Sequence, residues 1–348
     1  MQFGAQGKPP VGIILDADIG AGIDDILALA MVFGLEAKRE ARLVSISVSR
    51  PSLKSAAFAE AVGRFYSGAV SGAFGAVGRT LPVGLRLDGK APEDLPVITT
   101  PLSKRNEKGE VVYAHGIDKE NDTAEIPALI RNALTSQHDQ NCVVVLTGPA
   151  TNLADALAIP GITELISKKV RFLSMMGGAY PNGKPEFNIK ANIAAAKKLF
   201  AEWPTPIIAS GVEIGDALLF PASSIESDFA WAPNHPVVDA YRAYQPMPYD
   251  TPSWDLSAVL YAGRPQGNYF KLSDPGRITV LDDGRTKFAP AADGKHRYLI
   301  LDPAQKENII KAYIELASEK PAVRQPRRRP QQQQVTPPPP PRPPEAKP

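Results

Sequence analysis

Four aspartates fall within ten positions near the start of the chain, in Ile13-Ile14-Leu15-Asp16-Ala17-Asp18-Ile19-Gly20-Ala21-Gly22-Ile23-Asp24-Asp25, directly after an apolar run. Carboxylates this close raise each other's pKa, and burying them costs several kcal/mol unless a counter-charge is supplied. Hard oxygen donors with neither cysteine nor histidine among them suit Ca2+ or Mg2+. Negative charge at the start of a following helix is also favourable in itself. Capping of that kind accounts for Asp24 and Asp25, but it leaves Asp16 and Asp18 on the strand side unexplained. A divalent-metal site is the expectation for this stretch.

Further polar motifs need positioning too. They are Ala114-His115-Gly116, Leu146-Thr147-Gly148-Pro149-Ala150-Thr151-Asn152, Met175-Met176-Gly177-Gly178 with Glu186-Phe187-Asn188, and Ser253-Trp254-Asp255. Apolar runs alternate with helix-like segments along the chain. Val11–Leu15 precedes Ile26–Leu35, Leu43–Val48 precedes Ser55–Tyr66, Cys142–Leu146 precedes Asn152–Ala158, and Val170–Met176 precedes Ala191–Trp203, before Pro206–Ala209. This alternation predicts an α/β fold, Rossmann-like, with a mostly parallel central sheet and helices on both faces. Ligands of such sheets bind beyond the carboxyl ends of the strands, where these motifs fall.

Composition narrows the function classes. The 348 residues, 43% of them hydrophobic, suit one large domain, placed at 8–318. Residues 319–348 read as a disordered Pro/Arg/Gln-rich tail. Residues 321–348 alone carry +5 against a net +2 for the whole chain, which leaves the first 320 residues at −3 and argues against nucleic-acid binding. No apolar run reaches the ~20 residues of a membrane span, and no signal peptide is visible, so a cytoplasmic location is expected. The single cysteine, Cys142, excludes an internal disulfide and reads as a small core residue. His138, His235 and His296 lie outside the motifs.

Taken in order, the motifs resemble those of the inosine-uridine preferring nucleoside hydrolase family. The aspartate stretch is similar to its D-x-D-x-G-x-D-D signature, with two residues added to the loop. Leu146–Ala154 looks like its T-G-P-L-T-N-L-A turn, Met175–Asn188 like its M-G-G…E-F-N segment, and Ser253–Val259 like its H-D-P-x-A-V. The resemblance implies hydrolysis of the N-glycosidic bond of ribonucleosides by a homo-oligomer, a dimer or tetramer. It implies Ca2+ held by Asp18, Asp25, the backbone oxygen of Thr147 and Asp255, with Asp18 also the base toward water. Asp24, Glu186, Asn188 and Asn182 would contact ribose hydroxyls, Met176 would pack on the sugar, and Asp16 would support the loop from behind.

The departures concern the leaving base. Trp254 stands where the family often has an acidic histidine; an indole cannot protonate a base but can stack on one. The acid role then passes to His115 or to water. Arg50 replaces a ribose-contacting asparagine and could favour an anionic substituent, so an atypical N-riboside is one alternative substrate. Other readings stay open here: a D-x-D phosphatase, a non-catalytic ribose- or Ca2+-binding protein, and a dinucleotide loop at Gly20-Ala-Gly22, the last weakened by Asp25 at the third glycine's place.

Overall fold

A computed structural model of the chain describes residues 9–67, 81–90 and 93–321. The strands are β1 (Val11–Ala17), β2 (Ala41–Val48), β3 (Val83–Leu85), β4 (Cys142–Leu146), β5 (Val170–Met176) and β6 (Ile207–Ser210), followed by β7 (Leu219–Phe220), β8 (Thr251–Pro252), β9 (Phe270–Leu272), β10 (Gly276–Val280), β11 (Thr286–Pro290) and β12 (His296–Leu301). The first six lie in the order β3-β2-β1-β4-β5-β6, and every pairing among them is parallel. This doubly wound order reverses between β1 and β4, so a crevice opens at their carboxyl ends.

Both faces of the sheet are covered, which explains the uninterrupted apolar runs. Ile13, Leu15 and Ala17 belong to one core cluster and Ile14 to the other, on the opposite face. Asp16 shares the Ile14 face, in register with Ser47 on β2 and Leu146 on β4. The helix Asp24–Ala37 is buried without interruption from Asp24 to Leu35. It packs between the helices Trp254–Gly263 and Lys306–Ala317. A Cβ on Gly34 would meet the Leu316 carbonyl oxygen at 2.0 Å, so the two backbones approach as closely as only glycine allows.

Two features depart from the expected layout. The helix read at Ala191–Trp203 is two helices, Phe187–Ala191 and Ile193–Glu202. Asn192 breaks it: its side-chain oxygen accepts from the Ala195 N–H at 3.0 Å, capping a new start, while its amide donates to Thr151 Oγ1 at 3.2 Å. Beyond β6 the sheet continues through β12, parallel to β6, into antiparallel β9, β10 and β11, none of which the alternation indicated. From residue 322 onward the expected tail lies outside the described residues. Among the described residues no helix is long and apolar enough to cross a membrane.

Candidate active site

The chain leaves β1 at Ala17 and turns at once. Gly20 adopts φ +92°, a left-handed conformation suited to glycine, and the Ala21 N–H closes the turn on the Asp18 carbonyl at 3.0 Å. The Gly22 N–H then donates to Asp25 Oδ2 at 3.0 Å, fixing that carboxylate in the first turn of the helix Asp24–Ala37. From β4, Gly148 passes so close that a Cβ there would stand 2.9 Å from the Asp18 nitrogen. Asp255 arrives in the first turn of the helix Trp254–Gly263, against the helix that starts at Asp24.

Together these elements wall a cavity of about 400 Å³, lined on its floor by Asp18, Asp24, Asp25, Thr147, Met176, Glu186, Asn188 and Asp255. Asp24, Asp25 and Asp255 each offer an oxygen within 4.8 Å of the others. The Asp25 carboxyl also lies within hydrogen-bonding reach of Asp18, and one of its oxygens, Oδ1, is buried without a partner. Burial pushes Asp18 up to about 6; Glu186 adds to the rise, while Asp25 and Arg50 oppose it. Asp24 is pushed up to about 7 by burial and then by the charge of Asp18. Asp25 and Asp255 are held well above the usual carboxylate range by burial and then by their acidic neighbours. Four buried carboxyls that resist ionisation together, with an orphaned oxygen among them, fit a hard divalent cation.

Polar groups of the same lining are held in place by the backbone. Glu186 caps the helix Phe187–Ala191, accepting from the N–H groups of Asn188 at 2.8 Å and Ile189 at 3.1 Å, and also from Gly178 at 3.0 Å. A carboxylate has about four lone-pair positions, so one remains for a ligand. The Asn188 amide donates to the Thr147 carbonyl oxygen at 3.3 Å, which leaves that oxygen its second lone pair.

Two expected site residues lie elsewhere. His115 lines a separate pocket with Lys54, Thr99 and Asp118. Its loop is fastened there because Glu60 accepts from the N–H groups of Gly116 at 2.6 Å and Ile117 at 3.0 Å. Asn182 is exposed and forms an isolated bridge with Lys287. Arg50 does not line the cavity; its guanidinium donates to the Glu93 carbonyl. Conversely, Lys184, Val212 and Tyr244 line it and were not anticipated. Burial, and then the charges of Asp24 and Asp25, raise the Tyr244 phenol. The only hint of Tyr244 in the sequence is the aromatic and proline-rich stretch Tyr244–Tyr249.

Asp16 sits behind the cavity. It is fully buried, neither of its oxygens makes a hydrogen bond of normal geometry, and the nearby Asn152 amide nitrogen is likewise unpaired. Burial raises its carboxyl well above the usual range, against the influence of Asn152 and Arg86.

Fold and site define a doubly wound α/β protein with a sugar-sized acidic cavity at its topological switch point. The sequence profile of the inosine-uridine preferring nucleoside hydrolases matches residues 13–312, and the chain belongs to that family. It is an enzyme that hydrolyses N-ribosyl bonds. Among solved structures it is similar to a purine-preferring ribonucleoside hydrolase from Gardnerella vaginalis, at 21% identity and TM-score 0.64, over 88% of this chain and 99% of that one. An inosine-uridine preferring nucleoside hydrolase from Bacillus anthracis aligns at 17% identity and TM-score 0.60, over 89% and 99%. A plant nucleoside hydrolase aligns at 20% identity and TM-score 0.60, over the same shares. These likenesses establish the shared fold. A search of curated protein sequences finds no match.

Proposed function

We propose that the chain cleaves ribonucleosides to ribose and free base with a Ca2+ ion held by Asp18, Asp25, the Thr147 carbonyl oxygen and Asp255. The observation that carries this reading is the convergence of Asp25 and Asp255, from opposite ends of the domain, with oxygens within 4.8 Å of each other and of Asp24, in the cavity that Asp18 also lines; Asp25 Oδ1 there is buried with no partner. When bound, such a cation supplies charge that acidifies water and orients vicinal hydroxyls. Asp18 takes the proton from water at a side-chain oxygen. Asp24 accepts from a ribose hydroxyl, and Glu186 and Asn188 hold the sugar's other hydroxyls. Met176 packs on the ring, and the indole of Trp254 offers a stacking surface to the departing base.

Lys184 is the one basic side chain on the cavity wall among the described residues, and it pairs with Asp216. Uncharged nucleosides are therefore the substrates this reading expects, and Arg50 lends no support to an anionic one. Asp18→Asn tests the division of roles. Its kcat should fall by about three orders of magnitude, within the scale of a lost general base, while nucleoside still binds. Equal activity in the variant would overturn the role of Asp18.

A further inference from the structure

The base-facing rim contains a linkage that the family motifs do not include. Trp254 Nε1 donates to Asp216 Oδ1 at 2.8 Å, a charge-assisted bond at the edge of the indole. Asp216 stands on the short helix Val212–Ala217, whose first residue also lines the cavity. One residue earlier, a Cβ on Gly215 would lie 2.2 Å from Trp254 Cδ1 and 2.7 Å from Cγ, so the ring rests directly on glycine backbone. The other carboxylate oxygen of Asp216 faces Lys184 Nζ at 3.5 Å, from the segment that carries Glu186. That exposed pair is long, with Lys184 66% and Asp216 44% exposed, and contributes little energy by itself. The indole bond is the stronger of the two.

We propose that Asp216 is a positioning residue for the leaving base: it fixes the indole of Trp254 against Gly215 as a rigid stacking wall and ties that wall to the sugar-binding segment through Lys184. An indole hinged only at its Cα–Cβ and Cβ–Cγ bonds has several rotamers, and a stacking wall is useful in only one of them. Packing against Gly215 excludes rotamers on one side, and the Nε1 bond selects among those that remain. The assignment rests on the reading that Trp254 meets the base, since Asp216 itself need touch neither sugar nor base.

The test compares leaving groups in the full chain with Ca2+ present. Asp216→Ala should lower kcat/KM for inosine and uridine about tenfold, the scale of one lost charge-assisted hydrogen bond, while p-nitrophenyl β-D-ribofuranoside, whose leaving group departs as a stable anion without assistance, changes by less than about threefold. Asp216→Asn keeps an acceptor oxygen and should restore nucleoside turnover to within about threefold of the unmodified chain. If Asp216→Ala spares nucleosides, or slows both substrate types alike, the assignment falls. Trp254→Ala separates the two claims. Slowed nucleosides there with Asp216→Ala unaffected would remove only the role of Asp216; unchanged nucleosides would remove the base wall and the assignment with it.

Discussion

Asp18, Asp24, Asp25 and Asp255 are buried with more carboxyl groups than hydrogen-bond donors to serve them, and that imbalance has a measurable pH signature. In the metal-free protein Asp18 and Asp24 titrate at about 6 and about 7, against an ordinary value of 3.8. Between those limits the folded state binds more protons than the unfolded chain, so metal-free stability falls as pH rises from about 4 to about 7. His235 and His296 act oppositely: burial pushes them down to about 3 and about 4, so their contribution is lost as pH falls below about 6.5. Those histidines are common to both states of the site and cancel in the stability gained on adding Ca2+. The gain should be several degrees in Tm at pH 8, above the values to which Asp18 and Asp24 are pushed, and about one degree or less at pH 5. Thermal unfolding with Ca2+ or chelator at each pH measures it, and an equal gain at both would contradict carboxylate coordination. Asp24 stands in the ligand-capable group of three, although the family resemblance gives it a ribose hydroxyl. Calorimetry decides between these positions: Asp24→Ala should weaken Ca2+ binding less than Asp255→Ala does.

At the scale of elements, the parallel half of the molecule was legible because each strand is a short apolar run closed by a polar motif. Cys142–Leu146 and Val170–Met176 were read with their observed limits. The antiparallel strands were missed because apolar runs paired with helix-like segments were the signal followed, whereas Gly276–Val280 and Thr286–Pro290 form no apolar run, bury only alternate residues or fewer, and have no helix-like segment between them. The break at Asn192 was hidden for another reason: its flanks both fit helix, and only the cap geometry divides them. The helix Asp24–Ala37 carries two of the aspartates, so its seating governs the site. Alanine at position 34 would gain about 1 kcal/mol of helix propensity, but the 2.0 Å approach to Leu316 forces the helices apart at a cost of about 1–3 kcal/mol. We expect net destabilisation, read as a lower urea midpoint with unchanged m; a higher midpoint would mean the contact yields easily.

Across the whole molecule, the site exists because the strand order reverses between β1 and β4 and brings Asp18 beside Gly148, while the helix starting at Trp254 closes over them. The aspartates, Thr147, Met176, Glu186, Asn188 and Trp254 were all identifiable from sequence because each sits in a compact motif at an element's end. Tyr244 and Val212 were not, because they enter the cavity from elements whose sequence carries no chemical pattern, and Lys184 falls at an unspecified position between the glycines and Glu186 of its motif. His115 and Asn182 show the converse, since a recognisable residue is placed elsewhere once its loop finds better partners, as Glu60 provides for the loop of His115. We also expect self-association, and light scattering of the full chain should give the mass of a dimer or tetramer, with a single-chain mass as the contrary result. The most direct test of the account is ribose release by the purified full chain from inosine, uridine, cytidine and adenosine, with and without chelator. Ca2+-dependent hydrolysis requires release that chelator abolishes and Ca2+ restores; release unaffected by chelator, or none from any of the four, would rule it out.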